Sequence, residues 1–170
     1  MKIGIVSDSH KKIELLDNAL KILKKDGAEF IIHAGDIVLE ESLQLLKNSG
    51  LSYRAVFGNN DFHLLNLAGQ YNIANEPHYF NIDNISVKLM HYPYYLNGDS
   101  ELVVFGHTHY FEAEYKNSTL YINPGEICAR KKPISEFALI EKKAQGWEVY
   151  HYERDILKEN TNYICKKVRI

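Results

Sequence analysis

Seven residues of types that bind metal ions stand in the same kind of place in this chain: Asp8, His10, Asp36, Asn59, His91, His107 and His109 each come immediately after a short apolar run. Two imidazoles at i and i+2, as in Gly106-His107-Thr108-His109, could both reach one metal centre, although such pairs also occur on exposed loops. Asp8 and His10 repeat that spacing, where Asp8 or Ser9 could instead merely cap the next helix. Asp36 follows a glycine that lets the chain turn sharply, and Asn59 lies in Gly58-Asn59-Asn60-Asp61, which taken alone is only a turn. Their common position makes them a set. Carboxylate, amide and imidazole together suit Mn, Fe, Zn, Ni or Co better than calcium or a thiolate-bound metal, and seven ligands suit two ions. His33 lies inside an apolar run and reads as a core or supporting histidine rather than as a ligand.

The apolar runs that deliver these residues read as buried strands, Leu102 to Phe105 before Gly106 as a buried parallel one, and α/β proteins keep their chemistry in loops at the carboxyl ends of parallel strands. In chain order, a strand over residues 1–6 precedes a helix over 13–25, whose Ile13, Leu16, Leu20 and Leu23 form one stripe and which stops at Gly27. A second strand spans 30–34, a second helix 40–48, a third strand 53–57, and a less regular helical piece 64–68. The period then changes to two: a hairpin over 78–82 and 85–90 turning at Asp83-Asn84, the strand 102–105, and strands 111–115 and 120–122 about Asn117-Ser118. A last hairpin over 136–141 and 147–152 turns near Gln145-Gly146. The order βαβαβ, then mostly antiparallel strands, predicts an α/β fold.

Composition bounds the partners. With 170 residues, 45% of them hydrophobic, the chain is long enough for one domain with a real core, its motifs lying within 1–152 and a Lys/Arg-flavoured tail over 153–170. A formal net charge of -2 gives no basic footprint, so duplex nucleic acid binding is not expected and nucleic acid enters only as a substrate. Cys128 and Cys165 are too few for a disulfide framework or a structural zinc site. With no signal peptide and no apolar run of membrane-spanning length, the chain is expected to be cytoplasmic, without a membrane partner; a homo-oligomer is compatible with the sequence.

The series Asp-x-His, Gly-Asp, Gly-Asn-x-Asp, a lone His after a strand and Gly-His-x-His, in this order, resembles the calcineurin-like metallophosphoesterase superfamily. The short length and the Ile122-Asn123-Pro124-Gly125-Glu126 stretch are similar to its small phosphodiesterase branch. The resemblance implies two packed mixed β-sheets flanked by helices, with the site at the strand ends. It also implies two divalent cations, manganese first with Ni, Fe, Zn or Co as alternatives. Asp8, His10 and His109 match the ligands of one metal, Asn59, His91 and His107 those of the other, and Asp36 the bridging carboxylate. In such a centre, cations about 3.5–4 Å apart acidify a bridging water and clamp an in-line transfer, here on a small phosphoester. Asn60 and Asp36 are the residues expected to act on the reaction, with His33, Asp61 and His63 behind the ligands or against the substrate.

The sequence departs from the family pattern in three ways. Many members carry a histidine after the ligand Asn, where this chain has Asn60, so help to the leaving group has no obvious donor unless His63, or His33 through a water, supplies it. The lone His is usually followed by Gly, whereas His91 is followed by Tyr92-Pro93. Finally, residues 94–100 are too short for the helix usual there, which predicts a more open site with Tyr92, Tyr94 and Tyr95 as an aromatic patch or a covered interface. An alternative to the enzyme is a metal-binding, weakly active protein-interaction scaffold, since a eukaryotic retromer scaffold subunit resembles the same branch.

Overall fold

The computed structural model describes residues 1–159 and 161–170. Its strands are β1 (Lys2–Val6), β2 (Phe30–His33), β3 (Ser52–Val56), β4 (Ile73–Ala74), β5 (His78–Ile82), β6 (Ile85–Leu89), β7 (Leu102–Val104), β8 (Phe111–Lys116), β9 (Thr119–Pro124), β10 (Ile134–Lys143), β11 (Gly146–Asp155) and β12 (Ile164–Val168). The helices are α1 (Ile13–Lys25) and α2 (Glu40–Asn48), with one 3-10 helix over Phe62–Leu67 where an irregular helical piece was expected. Both α-helices have the predicted bounds because each carries a clear apolar stripe, Leu16, Ala19, Leu20 and Leu23 on α1 and Leu43 and Leu46 on α2.

Seven strands form one sheet in the order β12-β11-β10-β1-β2-β3-β4, and five form a second in the order β5-β6-β7-β9-β8. Both sheets are mixed. In the first, β1 to β4 are parallel and β10 joins β1 antiparallel. The second departs from the expectation of mostly antiparallel strands: β6, β7 and β9 run parallel at its centre, with antiparallel β5 and β8 only at its edges. The alternation along β1 and β2 explains how the sheets stack. Ile3, Ile5 and Ile32 point between the sheets and meet Val87, Leu89, Leu102, Val104, Leu120 and Ile122, while Val6 and Ile31 point outwards against α1 and α2.

Both helices thus cover the outer face of the first sheet. The outer face of the second carries a small cluster of Met90, Val103 and Phe105 with Tyr121. The segment 92–101 crosses there as turns, consistent with the missing helix. It is tied down by the buried Lys88 amine, which donates to Asn97 Oδ1 at 2.5 Å and to Asp99 Oδ1 at 3.0 Å. The segment read as a tail adds β12 to the edge of the first sheet along β11. Among the described residues, no helix is long and apolar enough to cross a membrane.

Candidate metal centre

Parallel neighbours in each sheet supply the candidate ligands. From the first sheet, β1 delivers Asp8 and His10, β2 delivers Asp36 and β3 delivers Asn59; from the second, β6 delivers His91 and β7 delivers His107 and His109. The sheets approach closely enough for these exits to meet. At Gly106 a Cβ would collide with Ser7 Oγ and lie 2.7 Å from Ala34 O. At Gly35, whose φ is +90°, it would lie 2.7 Å from the His91 ring. Neither position has room for a side chain.

Hydrogen-bond partners fix which atoms of several candidate ligands face inwards. His91 Nδ1 lies 2.8 Å from Ala34 O, and a carbonyl oxygen only accepts, so Nδ1 carries the proton and Nε2 keeps its lone pair. That Nε2 is 3.0 Å from Asn59 Oδ1 and 3.5 Å from Asp36 Oδ1, while His107 Nδ1 is 3.1 Å from Asn59 Oδ1 and 3.3 Å from His91 Nε2. Four atoms rich in lone pairs converge, with at most the one proton of His107 between them. A cation satisfies all four lone pairs of such a cluster at once.

The second group is built the same way. Asp8 Oδ2 accepts from Ser7 Oγ at 2.6 Å and from His107 N at 3.2 Å, leaving the fully buried Oδ1 without a hydrogen bond, 3.2 Å from His109 Nε2. His10 Nε2 also lacks a hydrogen bond, 3.6 Å from Asp36 Oδ2. Ligand atoms of Asp8, His10, Asp36 and His109 all lie within 4.8 Å of one another. The oxygens of Asp36 therefore address different groups, Oδ1 the His91 side and Oδ2 the His10 side. Burial pushes the Asp8 carboxyl up to about 7, against the Ser7 hydroxyl and the nearby His109, so burial penalises the ionised form that a cation would favour. The donor set fits divalent metal.

Backbone strain marks the same residues. Asp8, His10, Asp36, His107 and His109 all have positive φ, between 45° and 67°. For residues other than glycine, such conformations cost on the order of 1–3 kcal/mol each and persist where the surroundings over-determine them.

The remaining expected residues sit around this core. Asn60 clamps the bridging candidate: its backbone N–H donates to Asp36 Oδ1 at 2.9 Å and its side-chain amide to Oδ2 at 2.6 Å. Asp61 is wholly buried and spends its carboxylate on three backbone N–H groups, those of Gly58, Ile37 and Val38, at 2.7–3.1 Å. His63 Nε2 donates to Val38 O at 2.6 Å. Fully buried His33 packs its Nε2 3.0 Å from Ser9 Oγ, and burial lowers its pKa to about 3, keeping it neutral. The aromatic patch is present: Tyr92 tilts over His107 with ring centroids 4.1 Å apart, and Tyr94, 71% exposed, stacks on Tyr92 at 4.8 Å.

One residue at the centre was given no role from sequence. Glu126, just past β9, is wholly buried, and its Oε2 accepts from His109 Nδ1 at 2.5 Å. This holds the proton on Nδ1 and turns Nε2 inwards. The same carboxylate accepts from Cys128 Sγ and from the backbone N–H groups of Arg130, Lys131 and Lys132 at 2.7–3.2 Å. Burial opposes its charge, but His109 and these donors hold its pKa down at about 2. Glu126 thus ties a candidate ligand to the loop 128–132. The available signal was a carboxylate immediately after Pro124-Gly125 at a strand exit.

A two-sheet α/β sandwich whose parallel strand exits gather carboxylate, amide and imidazole ligands at one seam defines a metal-dependent hydrolase class. The family model described as the calcineurin-like phosphoesterase superfamily domain matches residues 1–145. The chain belongs to that superfamily. It is similar to the phosphodiesterase MJ0936 of Methanocaldococcus jannaschii, 28% identical over 86% of this chain and 96% of the relative. The probable metallophosphoesterase YsnB of Bacillus subtilis is 30% identical over 91% and 92% of the two chains. Among solved structures, an archaeal phosphodiesterase superposes with a TM-score of 0.75 at 26% identity, over 88% of this chain and 98% of that one. Vacuolar protein sorting 29 of Cryptosporidium parvum superposes at 0.77 and 21% identity over 98% and 97%, a likeness of fold.

Proposed function

We propose that this chain hydrolyses phosphodiesters at a centre of two divalent metal ions, manganese first among them. Asp8, His10 and His109 hold one ion, Asn59, His91 and His107 the other, and Asp36 lies between. The observation that carries this reading is the division of Asp36, whose two oxygens face two separate groups of inward-turned lone pairs. When bound, such an ion pair polarises the phosphoryl oxygens and generates a strong nucleophile from water near neutral pH.

The chain's own residues prepare the site. Glu126 and the Ala34 carbonyl fix the tautomers of His109 and His91, and Ser7 orients Asp8. Asn60 holds both oxygens of Asp36 in place, which makes it a positioning residue, and its amide has no acidic proton for a leaving group. His33 is enclosed and neutral, and His63 is engaged with Val38 O, so neither is placed to donate in Asn60's stead. A small-molecule ester with a good leaving group is the substrate this arrangement suits.

The experiment is to strip the protein with chelator, reload it with Mn, Ni or Zn, and measure ions per chain together with hydrolysis of bis(p-nitrophenyl) phosphate. Two ions with turnover are expected. Two ions without turnover on any phosphoester would transfer the reading to the metal-binding scaffold, and a chain that binds no ion would overturn both.

A further inference from the structure

We infer that the cavity next to the metal centre is an anion-binding subsite, and that the substrate is a phosphodiester carrying a second phosphate close to the scissile one. This rests on the hydrolase reading above. His10 and Asn60 form the wall that the cavity, of about 540 Å³, shares with the centre. Its charged lining is otherwise Lys11, Lys12 and Arg130, all exposed, and among the described residues no acidic one lines it. Among the described residues none of these three cations is in an ion pair. In a chain of net charge -2, three unpaired cations around one hollow concentrate positive potential there and attract anions. Surface lysines are commonly just solvated, so the cavity wall itself has to point to binding.

The backbone does so. Among the described residues, ten other than glycine have positive φ. Asp83, Asn117 and Ser118 are in hairpin turns, and five are candidate metal ligands. The remaining two, Val38 at 67° and Ala129 at 52°, both line this cavity. A β-branched residue is a rare occupant of that region. Val38 is held there from both ends, its N–H by Asp61 Oδ1 at 2.7 Å and its carbonyl by His63 Nε2 at 2.6 Å. The chain thus maintains at the cavity the kind of strain it maintains at the ligands, and the fold gives Asp61 and His63 a common purpose. With Val38, Ile156 supplies an apolar surface for a sugar or ring between two phosphates.

The test compares thymidine 5′-(p-nitrophenyl phosphate) with its 3′-phosphorylated analogue as substrates of the Mn-loaded protein. It also compares thymidine 5′-monophosphate with thymidine 3′,5′-bisphosphate as calorimetric ligands. The second phosphate should raise kcat/KM and tighten binding by about tenfold at low ionic strength, with the gain shrinking as salt screens the exposed charges. In the triple variant Lys11→Ala/Lys12→Ala/Arg130→Ala both ratios should fall towards one. Hydrolysis of both esters without preference would overturn the subsite and leave the hydrolase reading intact, as would a preference that the triple variant retains. Failure to hydrolyse either ester would count against the hydrolase reading; the binding ratio would then decide the subsite, upheld by a preference lost in the variant and overturned by its absence.

Discussion

Replacing Glu126 by glutamine exchanges one acceptor oxygen for an NH2 group at constant shape, in a place with no access to water. The carboxylate serves donors on two sides: His109 Nδ1, Cys128 Sγ and Arg130 N at Oε2, Lys131 N and Lys132 N at Oε1. A glutamine can turn its oxygen to only one side, so two or three donors, buried at His109 and Cys128 and partly buried in the loop, face an NH2 group. A buried donor left unsatisfied costs about 1–3 kcal/mol, and partial relaxation of the loop reduces the sum, so a loss of about 3–5 kcal/mol is expected. That is a large part of the roughly 5–15 kcal/mol that holds a domain together. Because the His109 tautomer is no longer fixed by a charge, metal affinity should fall by about 10–100-fold as well. Urea denaturation of the metal-free protein, followed through the midpoint at unchanged m, measures the first effect, and calorimetric titration with Mn the second. Glu126 stays ionised down to about pH 2, so acidifying the wild type from pH 7 to 5 should not mimic the variant. A glutamine variant with wild-type metal affinity and a stability lowered by less than about 0.5 kcal/mol would refute the argument.

Three further outcomes follow from the same geometry. Asp36→Asn should lose both ions and essentially all activity while remaining folded; metal analysis finding two ions per chain with full turnover would remove Asp36 from the bridging position. With Asn60 unable to donate a proton, aryl phosphodiesters should turn over about 10²–10⁴-fold faster than alkyl ones, and single-turnover rates independent of leaving-group pKa would show that another group supplies the proton. In the metal-free protein Asp8, raised on folding from 3.8 to about 7, binds more protons folded than unfolded between those values. Stability should therefore fall from about pH 4 to pH 7, on the order of 2–4 kcal/mol. His109 acts in the same sense above its ordinary 6.5, because although burial opposes its charge, Glu126 and Asp8 raise its pKa. Glu126 acts oppositely, its contribution being lost only as pH falls from 4.5 towards 2. Melting curves with chelator and with Mn should diverge as pH rises, and a metal-free Tm that climbs from pH 4.5 to 7 would refute the Asp8 assignment.

The elements that deliver the ligands were legible because each combines a clear hydrophobic period with a polar exit, as in Ile31-Ile32-His33-Ala34-Gly35-Asp36. β12 was not, because Ile164 to Lys167 are exposed and the strand only extends an edge, leaving no inward-facing set to read. β4, a two-residue strand, is too short for any period to register. β7 reads as a buried parallel strand and is one, but the parallel course of its neighbours β6 and β9 was missed, because β6 reaches β7 through turns rather than the helix by which parallel strands are usually recognised. At the site, residue type and order were sufficient to nominate ligands, but the duties of Asn60, Asp61, His63 and Glu126 depend on backbone groups brought close only by folding. Three of Glu126's five donors are main-chain N–H groups, and a sequence cannot show where those point.

The candidate ligands come from chain segments far apart: His107 N and Asp8 Oδ2, in contact, are separated by 99 positions. No complete set of ligands exists until the two sheets have docked, so an ion has little to hold during the early stages of folding. Metal should then leave the folding rate nearly untouched and act on the escape from the native state, lengthening the life of the folded chain. The ions would be a late-closing clasp across the seam of the molecule, and a shortage of metal would expose the chain to proteolysis as well as idle its chemistry.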